Sequence, residues 1–205
     1  MNLNQTELEV KFYLADLPAL ETRLQALGAR LAQARLHEVN LRFDTPARDL
    51  TQSYRVLRLR QDTAARMTYK GPGEIKDGAR LRQEIEFSVS DFDSARDLLL
   101  ALGYQVSLMY EKYRTTYTLD EVEVTLDQMP YGDFAEIEGP DPASIHRASE
   151  RLGLDWERRG LESYTALFER LRTSLGLTFR DLAFDNFRDL KVTPTDLGLQ
   201  PADRP

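Results

Sequence analysis

The sequence predicts an α+β fold: an eight-stranded antiparallel sheet curled over a charged face, with amphipathic helices packed against its apolar side. Two observations lead there. Nearly every strand-like segment carries charges on one face and apolar groups on the other. Three strand-like segments also run into helices with the same terminal chemistry.

In chain order, the first strand spans 5–13. Side chains alternate along it, so Glu7, Glu9 and Lys11 share a face opposite Leu8, Val10 and Phe12. A helix fits 16–28, with Leu17, Leu20, Leu24 and Leu27 on one stripe. Strands follow at 36–43, 54–61 and 66–71. In these, Arg58 and Arg60 oppose Leu57 and Leu59, and Arg66, Thr68 and Lys70 oppose Met67 and Tyr69. Gly71-Pro72-Gly73 and Lys76-Asp77-Gly78 break the chain. The strand at 82–89 sets Arg82, Glu84 and Glu86 against Leu81, Ile85 and Phe87. After a helix at 91–102 come strands at 105–119, 122–128 and 133–138. Lys112, Arg114 and Thr116 oppose Tyr113 and Tyr117; Glu123, Thr125 and Asp127 oppose Val122, Val124 and Leu126; Glu136 and Glu138 flank Ile137. Helices at 142–152 and 160–175 complete a domain over 1–175. The remainder, 176–205, reads as an extension. A short helix fits 179–190, and 192–205, with three prolines and few large apolar groups, reads as a disordered tail.

Asp16, Asp91 and Asp141 each stand twelve positions before a glycine: Gly28, Gly103 and Gly153. Asp caps a helix start by accepting orphan backbone N–H groups, and Gly tolerates the left-handed residue after a helix. Each helix follows a strand with a same-face carboxylate pair: Glu7/Glu9, Glu84/Glu86, Glu136/Glu138. The repeat fits internal symmetry and simple strand–helix grammar equally well.

Bulk composition narrows the chemistry. The 205 residues suit one domain. No Cys is present, so disulfides and thiolate metal sites are excluded, and only His37 and His146 remain for imidazole chemistry. Net charge is −7, which disfavours nonspecific nucleic-acid binding. No apolar run reaches a membrane span and no signal-peptide pattern opens the chain, so a cytoplasmic protein is the expectation. No GxxxxGK[ST] loop is present. His37, His146, Trp156 and Tyr164 read as surface or core residues.

For any single strand, a wet outer face explains the charges. Across all strands the charged faces are rich in Arg and Glu and poor in Ser, Gln and Asn, and the apolar faces need cover. A sheet that curls over its charged face encloses cations with carboxylates. That arrangement is costly unless the groups pair or bind ions. It suits a polyanion with a hard divalent cation, since carboxylates prefer Mg²⁺ or Mn²⁺ and Arg and Lys match phosphate oxygens.

In these residues the chain resembles the CYTH superfamily of triphosphate tunnel metalloenzymes, which includes class IV adenylyl cyclases and thiamine triphosphatases. Glu7, Glu9 and Lys11 match its ExExK element. Asn40–Pro46 (NLRFDTP) with Leu50 is similar to NxYFDTP…L. Leu57–Arg60 and Thr68–Pro72 resemble its arginine and lysine strands, and Arg82, Glu84 and Glu86 its RxExE. Glu111–Arg114 resembles EKxR, Leu126-Asp127 with Gly132–Gly139 resembles LD…GxFxEIEG, and Ser163-Tyr164 a late SY pair. The likeness covers about 5–170, and Arg42 departs from it by standing where the family often has an aromatic residue.

The resemblance implies an eight-stranded antiparallel closed β-barrel, a tunnel with a charged lumen and amphipathic helices packed outside, and hydrolysis or cyclisation of a triphosphate inside it with Mg²⁺ or Mn²⁺. Metal would be held by Glu7, Glu9, Glu136 and Glu138, with Asp127, Glu84 and Glu86 for a second metal or its water. Lys11, Arg58, Arg60, Lys70, Arg82, Lys112 and Arg114 would grip phosphates, and Lys11, Glu9, Lys70 and Arg58 would be catalytic. The expected activity is a phosphohydrolase removing the terminal phosphate of inorganic triphosphate or of thiamine or nucleoside triphosphate. The alternative is a cyclase making cyclic AMP from ATP. A silent polyanion binder is the third reading, which the carboxylates disfavour. The expected partner is a small triphosphate, with neither nucleic acid nor membrane, and the expected state a monomer or homodimer.

Overall fold

The computed structural model describes residues 6–203. Its strands are β1 (Thr6–Leu14), β2 (Arg30–Asp44), β3 (Val56–Gln61), β4 (Ala65–Lys76), β5 (Ala79–Val89), β6 (Gln105–Leu119), β7 (Val122–Met129), β8 (Gly132–Glu138) and β9 (Arg159–Gly160). The helices are α1 (Leu17–Ala26), α2 (Asp49–Gln52), α3 (Phe92–Ala101), α4 (Pro142–Arg151), α5 (Tyr164–Leu175) and α6 (Phe184–Phe187).

The first eight strands form a closed ring. Hydrogen bonds run in the order β5-β4-β3-β2-β6-β7-β8-β1, and β1 pairs back onto β5, with Glu7 opposite Arg82. All of these pairings are antiparallel. Where β5 leaves the edge of β1, the short β9 takes it over, with Gly160 opposite Lys11.

Three helices start and stop as their sequence dictates. Asp16, Asp91 and Asp141 each accept a backbone N–H three residues on. Gly28, Gly103 and Gly153 follow with φ of 80°, 89° and 64°. α1 and α4 cover the outer faces of β1, β7 and β8, where Phe12, Leu24, Val124, Ile137 and Ile145 are fully buried. α3 covers Phe43, Leu59 and Met67 on the opposite side of the ring.

α5 behaves differently from these three. Tyr13 and Phe134 stand two residues along from Lys11 and Glu136, on the same strand face, yet they pack against the Tyr164, Leu167 and Phe168 side of α5. Leu108 and Met129 join this cluster from β6 and β7. The lumen face therefore turns apolar toward one end of the ring, and α5 closes that end.

Several sequence expectations need correcting. β2 begins at Arg30, six residues before the expected start, because its first half pairs only with β6 through irregular register. Gly71-Pro72-Gly73 does not end a strand. It forms a bulge inside β4, where Pro is tolerated because the ladder skips it, and the turn falls at Asp77-Gly78. The helix expected over 179–190 shortens to α6, since Leu182 instead bridges to Tyr110. The end of the chain is not a disordered tail as far as Asp203. Leu197 and Ala202 are buried, and Asp203 accepts the backbone N–H groups of Ala15 and Asp16. Gln5, expected to open the first strand, and Arg204–Pro205 of the expected tail lie outside the described residues. No helix among the described residues is long and apolar enough to cross a membrane.

Candidate active site

The charged faces converge on a cavity of about 750 Å³ inside the ring. Period-2 alternation on closed strands puts the charges there: apolar side chains have cores to enter on the outside, so their charged neighbours point inward. The phosphate-binding candidates Lys11, Arg58, Arg60, Lys70, Arg82, Lys112 and Arg114 all line this cavity. So do Glu7, Glu9, Glu84, Glu86, Glu136 and Glu138. Asp127 does not; it is fully buried behind the wall.

The charges fall into four groups. In the first, Glu7 accepts from Lys70 at 2.7 Å and from Arg82 Nε at 3.1 Å, and Lys70 Nζ also lies 3.0 Å from Glu84. Burial pushes Glu7 up, but Lys70 and Arg82 outweigh it and hold the carboxyl down at about 2. Burial raises Glu84, and the nearby Glu7 charge adds to that against the pull of Lys70. In the second group, Glu86 accepts from Thr68 Oγ1 at 2.8 Å and from the Arg60 and Arg58 guanidinium groups at 3.2 and 3.4 Å.

The third group is the tightest. Arg114 Nη2 lies 2.5 Å from both Asp127 and Glu136, and Lys11 Nζ lies 2.5 Å from Glu136. Asp127 also accepts from Lys112 at 3.1 Å and from the Tyr164 hydroxyl at 2.8 Å, so its oxygens are saturated. Lys11 sits over the Tyr164 ring, 4.3 Å from its centroid. Asp127 from behind the wall, and Tyr164 from within it, thus hold cations in position.

The fourth group is acidic. Glu9 of β1 stands opposite Glu138 of β8, which stands opposite Glu123 of β7. Among the described residues, Glu123 and Glu138 form no ion pair, and Glu9 only approaches Arg82 at 3.8 Å. Glu138 is reached by solvent inside the lumen but is ringed closely by protein. That burial, with Glu7, Glu123, Glu84 and Glu9 around it, raises its carboxyl to about 7. Among the described residues, no three such groups converge into a formed ligand cage. The donor chemistry still fits a hard divalent cation, because neighbouring strands supply oxygen donors whose mutual repulsion such an ion would relieve.

Of the four carboxylates expected to hold metal, the fold brings Glu9 and Glu138 together and engages Glu7 and Glu136 with cations. Sequence reasoning gave Glu38 and Tyr110 no role, put Glu123 on a charged face without a ligand role, and read Tyr164 as core. Glu38 is buried between Lys112 and Arg60, at 3.6 and 3.7 Å. Burial raises it, yet Lys112, Arg114 and Arg60 bring it down to about 2. The signal for Glu38 was its period-2 spacing with Asn40 and Arg42, which carry the same face of β2 into the lumen. Tyr164 is core and site at once: the ring is buried while the hydroxyl serves Asp127.

Comparisons with known proteins agree with this geometry. A family model described as the CYTH domain matches residues 5–149. The adenylate cyclase CyaB of Aeromonas hydrophila is 29% identical over 188 residues, covering 90% of this chain and 87% of that protein. A solved structure of a candidate adenylate cyclase from Vibrio parahaemolyticus aligns with a TM-score of 0.69 at 26% identity, covering 81% of this chain and 99% of that one. A Hippeastrum protein, described as a candidate adenylyl cyclase with a dominant triphosphatase activity, shares the fold at a TM-score of 0.61 and 18% identity, covering 80% of this chain and 95% of that one.

Proposed function

The chain belongs to the CYTH domain family, and from that premise we propose that it is a metal-dependent phosphohydrolase that cleaves the terminal phosphate of inorganic triphosphate or a small organic triphosphate within its lumen. One observation carries this reading. Cations from β1, β3, β4, β5 and β6 face one cavity and surround whatever enters it. Phosphoryl transfer needs mainly such positioning and charge neutralisation.

Lys70 and Arg82 on one wall, and Lys11, Lys112 and Arg114 on the other, grip the phosphate oxygens. Each now pairs with a carboxylate, and a polyanion competes for the same donors. Asp127 and Tyr164 keep Lys112 and Arg114 aimed as that exchange occurs. Glu9, Glu138 and Glu123 would hold Mg²⁺ or Mn²⁺, with Glu136 two residues along β8 from Glu138. When bound, the ion neutralises phosphate charge and acidifies the attacking water. Water then displaces the terminal phosphate, one P–O anhydride bond breaks, and diphosphate and orthophosphate leave.

A cyclase is the second reading, favoured by the names of the relatives. Incubation with triphosphate, thiamine triphosphate and ATP under Mg²⁺ or Mn²⁺ separates the two. Orthophosphate without cyclic AMP supports the hydrolase; cyclic AMP with diphosphate from ATP replaces it with the cyclase; no turnover at all rejects both.

A further inference from the structure

Every cation of the cavity wall except one has a carboxylate within 3.4 Å. The exception, among the described residues, is Arg42. Its Nη1 donates to the Thr165 hydroxyl at 2.5 Å, at the start of α5, and it forms no ion pair. Asp44, whose charge acts on Arg42, is committed elsewhere: it accepts the backbone N–H groups of Thr45, Leu50 and Thr51 and the Thr51 hydroxyl. Arg42 stands directly opposite Arg58 across β2 and β3. On the same wall the buried Asn40 amide nitrogen, Arg58 Nε and Arg60 Nε have no hydrogen-bond partner, nor do the Asn40 amide oxygen and Glu38 Oε2. Hydrogen-bond donors outnumber acceptors there.

We propose that Arg42 is a specificity-determining residue that binds an anionic group at the α5 end of the substrate, so that the lumen favours a chain of phosphates charged at both ends over a triphosphate ending in a neutral or cationic organic group. The proposal rests on the triphosphatase reading above and refines it. A half-buried guanidinium beside other cations is destabilised until an anion arrives. Burial lowers its proton affinity, as do Arg82 and Arg58, against the opposing pull of Tyr110 and Asp44. A phosphate oxygen matches the Arg fork. The thiazolium of thiamine triphosphate would instead meet this cation as a like charge, and a nucleoside would leave it unpaired.

The test compares the wild type with Arg42→Gln and Arg42→Lys, using inorganic triphosphate and thiamine triphosphate. Steady-state kinetics with Mg²⁺ is the first readout. Calorimetric binding of both compounds without metal is the second, and it does not depend on turnover. In Arg42→Gln the preference for triphosphate should fall about tenfold or more, mainly through KM, as expected for a lost charged hydrogen bond. Arg42→Lys should keep most of that preference. An equal loss for both compounds marks a merely structural role and overturns the proposal, as does an unchanged ratio. Should the wild type hydrolyse neither compound, the triphosphatase reading fails, and the calorimetric ratio still decides the role of Arg42.

Discussion

Asp127 shows how a charged residue can serve a site it does not face. It is fully buried, and Lys112, Arg114 and Tyr164 all bond to it. Removing one member of a buried ion network strands the others. Asp127→Ala should therefore lower stability by about 3–5 kcal/mol in urea unfolding. A cost under about 1 kcal/mol, the level of an exposed pair, would contradict the network. Glu138 makes the opposite case. Its folded-state carboxyl titrates near 7, above the ordinary 4.5. Its contribution to stability is then full below 4.5 and is lost as pH rises through about 7. The melting temperature of the metal-free wild type should fall relative to Glu138→Gln between about pH 5 and pH 8, and Mg²⁺ or Mn²⁺ should remove the difference. Parallel pH profiles would show that Glu138 is not crowded by its neighbours. The lumen residues were legible in the sequence because a closed strand leaves its polar face one direction to point. Their ion partners were not, since pairs such as Lys70 with Glu7 join positions far apart in the chain.

Elements were legible where their chemistry is local. Asp91 and Gly103 bracket α3, and each end follows from a hydrogen bond or a backbone angle within a few residues. Long-range elements were not. β9 exists only because β1 offers it a free edge, and nothing in Arg159-Gly160 announces a strand. The bulge at Gly71-Pro72 reads locally as a break, because the β5 partner that carries the ladder past it lies further along the chain. The clearest case is the C-terminal segment, whose composition reads as disordered but whose Leu197 is fully buried against α5 neighbours. Leu197→Ala should cost about 2–5 kcal/mol in thermal or urea unfolding, the range for a buried leucine. A neutral substitution would restore the disordered-tail reading.

At the scale of the whole molecule, the ring makes the chemistry possible. Closing β1 onto β5 brings Glu7 to Arg82 and Lys70, and encloses the Glu9–Glu138 pair that neighbouring β1 and β8 already set side by side. The charge pattern along the strands foretold the curl, because a curled sheet gives so many Arg and Glu a shared interior; closure into a ring followed from the family resemblance. The blocked end was hidden, since Tyr13 and Phe134 lie on the lumen face by their spacing, and only α5, distant in the chain, shows what covers them. A single cavity with cations around it and carboxylates on β1, β7 and β8 is the basis of the triphosphatase account. The most direct test follows triphosphate under Mg²⁺ by phosphorus NMR, in the wild type and in Glu9→Gln at matched melting temperature. The account predicts equimolar diphosphate and orthophosphate from the wild type, and a rate lower by about a hundredfold or more in the variant. An inert wild type, or a variant that keeps pace with it, would contradict the account.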